Sequence, residues 1–335
     1  MPKDIVRIAA VGDLHCTKSA QGAYHPLFAN IGEHADVLCL CGDLTDYGTP
    51  EEAHVLVKEL LPSVKIPIVA VLGNHDFETG QQDEVRKILQ DAGIHVLDGE
   101  SIEIDGVGFA GTKGYIGGFG RHTLGAWGEA GIKNIVREAQ DEVMKLESAL
   151  ARLRTEHRVV LLHYSPVAAT VVGEPETIFP FLGTSRLEEP LLRHPLTVVF
   201  HGHAHRGTME GKTISNVPVY NVAMPLLRRE RPNMPPYRIV ELAMNVSSQA
   251  QANQPIAGAP NTAPNYGVQP TGVQSSGAQP AGIQPTGVAS EDAPVMVPPQ
   301  SGNGSQNSAG VSNGGATAGS GERRLEPTSA MTPTN

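Results

Sequence analysis

The chain has 335 residues, 40% hydrophobic and 18% charged, with a formal net charge of −10. That composition suits a globular protein with a sizeable core, and its acidic balance argues against the basic patch of a nucleic-acid binder. No run of about 20 apolar residues occurs, so no membrane span is expected; Met1-Pro2-Lys3-Asp4 lacks a leader's apolar run, and the three cysteines form no disulfide framework and fit a reducing, cytoplasmic setting.

The first predicted element is Ile5–Val11, an apolar run that ends on Gly12-Asp13-Leu14-His15. A second buried strand, Val37–Cys41, carries Cys39 and Cys41 as small core residues and runs into Gly42-Asp43-Leu44-Thr45-Asp46. A helix is predicted over 51–61, then a strand over 68–72 leading to Gly73-Asn74-His75-Asp76, then a helix over 82–92. Short β runs at 102–104 and 107–110 precede a glycine-rich stretch, 111–131, containing Lys113, Tyr115, Arg121, His122 and Trp127. That stretch reads either as a cover that contacts substrate or as a plain surface loop. A long amphipathic helix is predicted over 132–154. Strands over 158–162 and 197–200 lead to His163-Tyr164-Ser165-Pro166 and His201-Gly202-His203-Ala204-His205, and 217–222 and 237–242 close the sheets. Strands alternating with helices predict an α/β domain with helices on both sides.

Composition changes at Asn245. From there on, Tyr266 is the only aromatic residue, lysine and histidine are missing, and glycines recur every five residues from Gly267 to Gly287. Such a segment cannot bury enough apolar surface to offset the entropy of ordering it. The predicted division is a domain over 1–244 and a disordered, low-complexity tail over 245–335. Truncation after Met244 is expected to leave the melting temperature and small-substrate hydrolysis nearly unchanged; a large fall in either would show that the tail packs on the domain.

Five predicted strands thus end in polar clusters, and in open α/β sheets ligands gather outside the carboxyl ends of strands. Carboxylate, amide and imidazole are the ligand types of divalent metals such as Mn, Fe, Zn or Mg. Asp13 and His15 are two apart in an extended segment, as are His203 and His205, so each pair can face one way. One such cluster alone has a structural explanation. Five in order are hard to explain that way, because unpaired buried aspartates and histidines burden a fold.

In these motifs the chain resembles the calcineurin-like metallophosphoesterases: Asp13/His15, Gly42-Asp43, Gly73-Asn74-His75-Asp76, the lone His163, and Gly202-His203-Ala204-His205. In motif form it looks most like the branch that contains class III cyclic-nucleotide phosphodiesterases. The resemblance implies a four-layer α/β/β/α sandwich and two divalent metal ions, with Asp13, His15 and His205 on one, Asn74, His163 and His203 on the other, and Asp43 on both. It further implies hydrolysis of a phosphate ester by metal-activated hydroxide, with His75 protonating the leaving group or stabilising the transition state. Asp76 reads either as orienting the His75 imidazole or as capping the next helix. Asp46 reads as the partner of a ligand or as a turn residue, and His201, outside the pattern, as structural or supporting. The expected substrate is a small-molecule or nucleotide phosphate ester, most simply a phosphodiester. A phosphoprotein phosphatase, a nuclease and a non-catalytic scaffold are the competing readings, and the oligomeric state is not legible.

Overall fold

Parallel strands buried on both faces need apolar residues at every position, and Val37–Cys41 meets that demand with all five side chains buried. The computed structural model describes residues 3–244, so the tail expected from Asn245 lies outside the described residues. In chain order the elements are β1 (Ile5–Val11), α1 (His25–Phe28), α2 (Ile31–His34), β2 (Val37–Cys41), α3 (Pro50–Leu60), β3 (Ile68–Val71), α4 (Gln82–Asp91), β4 (His95–Val96), β5 (Ser101–Ile104) and β6 (Val107–Gly111). Then follow α5 (Ala130–Arg152), β7 (His157–Leu161), α6 (Phe179–Leu182), α7 (Glu188–Arg193), β8 (Val198–His201), β9 (Glu210–Lys212), β10 (Pro218–Asn221), α8 (Met224–Glu230) and β11 (Arg238–Ala243).

The strands form two sheets, in the orders β11-β1-β2-β3-β4 and β5-β6-β7-β8-β10-β9. β1 to β4 are mutually parallel and β11 joins antiparallel to β1. In the second sheet β6, β7, β8 and β10 are parallel, flanked by antiparallel β5 and β9. Alternation along each strand feeds two cores. Val37, Cys39 and Cys41 point to the second sheet and pack with Phe109, Leu161 and Phe200. Leu38 and Leu40 point the other way, onto Phe28, Ile31, Leu56 and Leu89 of the first helical layer. On the outer face of the second sheet, Val160, Val199 and Val219 pack against Leu146, Ala149 and Leu150 of α5. Three apolar layers between four structural layers make the α/β/β/α sandwich that the motifs implied.

The predicted long elements recur within a few residues of their expected ends. α3 starts where it does because Thr49 accepts from the Glu52 amide while Glu52 reaches back to the Thr49 amide, with Pro50 in the first turn. α5 buries Val136, Ala139, Val143, Leu146 and Leu150, the spacing of one helix face. The short elements α1, α2, α6 to α8, β4 and β9 were not predicted, because few residues per element give no measurable period. Among the described residues no helix is long and apolar enough to cross a membrane. Cys16, Cys39 and Cys41 are buried free thiols.

Candidate active site

β1, β2, β3, β7 and β8 each run into a loop that carries Asp, Asn or His, and the two sheets bring these loops together. The loops after β1 and β2 lie side by side: the Asp13 amide donates to the Gly42 carbonyl at 2.9 Å and the His15 amide to the Asp43 carbonyl at 2.9 Å. Of six described non-glycine residues with left-handed backbone, four are Asp13 (φ 55°), His15 (φ 49°), Asp43 (φ 47°) and His203 (φ 68°). Such a conformation costs on the order of 1–3 kcal/mol and persists where surroundings over-determine it, commonly at functional sites. Glycines make room for the convergence. A Cβ at Gly42 would lie 2.4 Å from His163 Nδ1, and one at Gly73 would lie 2.2 Å from Asp43 Oδ1.

The hydrogen bonds fix which ring nitrogen is free in His163, His203 and His15. His163 Nδ1 donates to the Cys41 carbonyl at 3.1 Å, so Nε2 presents its lone pair to Asn74 Oδ1 at 2.9 Å and Asp43 Oδ1 at 3.4 Å. His203 Nε2 donates to the Phe181 carbonyl at 3.0 Å, which leaves Nδ1 free. His15 Nδ1 donates to Asp46 Oδ1 at 3.2 Å, and its Nε2 is buried with no hydrogen-bond partner, 3.7 Å from Asp43 Oδ2. His205 Nε2 lies 3.0 Å from Asp13 Oδ1, and both Asp13 oxygens accept the His203 amide at 2.9 and 3.0 Å. Two groups of ligand atoms result, Asp13/His15/His205 and Asp43/His163/His203, each within 4.8 Å; a third such group is His15/Asp43/His75.

The electrostatics of this arrangement call for cations. Burial, with the neighbouring Asp13 charge, pushes Asp43 up to about 7. Burial pulls His163 down to about 4 and His203 to about 3, so both are neutral, the form in which an imidazole can bind metal. Burial also works to raise Asp13, but the His205 bond and the surrounding imidazoles outweigh it and hold the carboxylate below its ordinary range. Lone pairs of Asn74, His163 and Asp43 face one another, and His15 Nε2 is orphaned. A divalent cation resolves both problems, and the donor set of imidazole, carboxylate and amide oxygen fits Mn, Fe, Zn or Mg.

Comparison with known proteins decides the family. A family model described as calcineurin-like phosphoesterase matches residues 6–207. The chain belongs to that family. As a calcineurin-like phosphoesterase it is a metal-dependent phosphoric ester hydrolase, and its cofactor is a dinuclear divalent metal centre. Among solved structures, phosphopantetheinyl hydrolase (PptH) from Mycobacterium tuberculosis is similar at 15% identity and a TM-score of 0.50, covering 70% of this chain and 95% of that one. The protein TT1561 of Thermus thermophilus aligns at 14% identity and a TM-score of 0.45, over 71% of this chain and 99% of that one. GAP50, the anchor in the inner membrane complex of Plasmodium, aligns at 12% identity and a TM-score of 0.44, over 72% and 82%. At these identities the likeness concerns the fold. No curated protein sequence matches the chain.

Around the phosphoesterase's ligand cluster, His75 stands half-buried with its ring 4.6 Å from that of His15. Its amide donates to Asp43 Oδ1 at 2.9 Å, and its Nδ1 lies 2.7 Å from the Asp46 carbonyl oxygen. Burial would lower the His75 pKa, but that bond and the charges of Asp43, Asp46 and Asp76 raise it above the ordinary imidazole value. Asp46 therefore contacts two imidazoles, His15, a candidate ligand, through its carboxylate and His75 through its carbonyl. Replacing Asp46 with alanine is expected to weaken metal binding about 10–100-fold, the usual cost of losing a ligand's hydrogen-bond partner. Metal titration of the variant checks this, and unchanged affinity would remove Asp46 from that role.

Both sequence readings of Asp76 need correction. Its buried carboxylate accepts the amides of Leu44 (3.1 Å), Thr45 (2.8 Å) and Gly73 (2.8 Å) and the Thr45 hydroxyl (2.6 Å). It neither bonds the His75 ring nor caps α4, whose N-cap is Gln81. Asp76 instead ties the loop after β2 to the loop after β3. Burial, with the Asp43 charge, raises its carboxyl to about 6. His201 is fully buried, with Nε2 2.8 Å from Thr170 Oγ1 and Nδ1 2.8 Å from the Gly202 carbonyl. It supports the loop and stands apart from the ligand groups.

Beside Asn74 a cleft of about 550 Å³ opens, lined in part by Phe77, Lys113, Tyr115 and Tyr164. The glycine-rich stretch thus divides. Lys113 and Tyr115 face the cleft, whereas Arg121 and His122 bond each other at the surface and Trp127 is 72% exposed. Tyr164 also reaches the cluster, its ring 4.6 Å from His203 and 5.3 Å from His163. The sequence did not single out Tyr164 or Phe77; their only signal was adjacency to His163 and to the His75-Asp76 pair.

Proposed function

We propose that the chain is a phosphodiesterase acting on a small molecule or nucleotide, with one ion held by Asp13, His15 and His205, the other by Asn74, His163 and His203, and Asp43 shared. The observation that carries this reading is the convergence of these acceptor atoms, with an orphaned His15 Nε2, beside a cleft of small-molecule size. Bound there, two divalent ions would lower the pKa of a water and neutralise charge on the phosphoryl oxygens.

The chain's own residues supply the rest. His75, at the rim, donates a proton to the leaving oxygen as the P–O bond breaks; against the effect of burial, the Asp46 carbonyl and the neighbouring carboxylates favour its protonated form. The Asp46 carbonyl accepts from Nδ1, which leaves Nε2 as the nitrogen able to give up a proton. Asp76 keeps the loop of Asp43 in register with that of Asn74. The aromatic walls Phe77, Tyr115 and Tyr164 suit a planar or apolar leaving group. Three buried free thiols are compatible with a cytoplasmic location.

The test is turnover of matched chromogenic mono- and diesters by metal-loaded protein, followed by a nucleotide panel. Preference for the diester supports the proposal. Preference for the monoester, or for phosphopeptide or nucleic acid over small esters, overturns it.

A further inference from the structure

Lys113 is an ammonium in an unusual setting. It is half-buried on the wall of the cleft, and its Nζ lies 5.1 Å from the Phe77 ring centroid, 4.7 Å from Tyr115 and 5.3 Å from Tyr164. An ammonium has three donors, and among the described residues only one is committed, to the Gly114 carbonyl at 3.1 Å. No described carboxylate pairs with it within 4.0 Å. The nearby acids are otherwise engaged: Asp98 and Glu142 both bind Lys145, Asp98 also pairs with Arg86, and Glu142 further accepts Thr112 Oγ1 and the Gly114 amide. Glu138 and Asp141 line the same cleft but are exposed, where solvent and salt screen them. Burial lowers the Lys113 pKa, as expected of a cation short of a counter-charge. Three aromatic faces hold the ammonium in place without neutralising it.

We infer that Lys113 is a specificity-determining residue, whose ammonium binds an anionic group of the substrate attached to, but distinct from, the scissile phosphoryl. The inference rests on the phosphoesterase reading of the neighbouring cluster. The offset follows from Tyr164. That ring neighbours Lys113 on one hand and His163 and His203 on the other, so an aromatic side chain stands beside both the ammonium and the ligand imidazoles. Asn74, in the proposed ligand set, lines the same cleft as Lys113, so a substrate held at the cluster has open space leading to the ammonium. The chemistry recognised is that of a compact anion, such as a second phosphoryl group.

Calorimetry of the metal-loaded protein with inorganic phosphate and with pyrophosphate tests this. In Lys113→Met the affinity for pyrophosphate is expected to fall about tenfold more than that for phosphate, and Lys113→Arg is expected to retain most of the wild-type preference. Equal losses for both anions would place Lys113 on the scissile phosphoryl, and no loss would make it a packing residue; either overturns the inference. Thermal melting identifies a misfolded methionine variant, in which case the arginine variant and Tyr115→Leu carry the test. Loss of the preference in the arginine variant, or its full retention when the leucine variant frees the ammonium, counts against the assignment. Wild-type protein that binds pyrophosphate through Lys113 but hydrolyses no ester would sink the phosphodiesterase proposal and leave this one standing.

Discussion

Asp43→Ala is expected to lose both metal ions together and, with them, turnover. The two oxygens of Asp43 point to different halves of the cluster, Oδ1 to His163 Nε2 at 3.4 Å and Oδ2 to His15 Nε2 at 3.7 Å. Removing a carboxylate shared in this way should cost more than the roughly 10–100-fold in affinity lost with a ligand's supporting partner. Elemental analysis of carefully reloaded protein checks it, and full two-ion occupancy in the variant would refute the shared assignment. Melting of metal-free protein separates this effect from misfolding. Because burial raises the Asp43 pKa from 3.8 to about 7, its ionisation opposes metal-free folding increasingly from pH 3.8 and fully above pH 7. At pH 8 the metal-free variant is therefore expected to melt no lower than metal-free wild type, even though the bond from the His75 amide is gone.

His75→Ala should have the opposite signature, with metal retained and chemistry lost. The His75 ring borders the cluster, and its Nδ1 is engaged by the Asp46 carbonyl. If His75 protonates the leaving oxygen, turnover of an ester with a poor leaving group should drop about 10²–10⁴-fold. The loss should shrink for a nitrophenyl ester, whose leaving group departs without a proton. An equal loss for both esters would assign His75 to transition-state charge instead. Because His75 also falls within 4.8 Å of His15 and Asp43 ligand atoms, metal content is the decisive control. A variant that lost an ion would make His75 a ligand, and wild-type turnover on both esters would remove it from the mechanism.

What the sequence determined by itself was the alternation of buried strands and amphipathic helices and the identity of the polar residues at the strand ends. Both are local: apolar runs such as Val37–Cys41 and the face of α5 carry their own period, and glycine-flanked Asp, Asn and His clusters interrupt it. The four-layer arrangement entered through the resemblance, because nothing in a strand's own residues says which sheet it joins. The tertiary structure decided what depends on loops from different sheets meeting. It assigned the free nitrogen of His163 through the Cys41 carbonyl, 122 positions away, and gave His15 its Asp46 partner. It turned Asp76, read from the sequence as either a partner of His75 or a helix cap, into a tie between two loops, a role set by backbone amides whose directions no side-chain pattern encodes. It also gathered Phe77, Lys113, Tyr115 and Tyr164 into one wall, since an aromatic box has no sequence period when its members come from three separate loops. Residue chemistry is written locally, whereas hydrogen-bond direction and shared space exist only once the two sheets are packed.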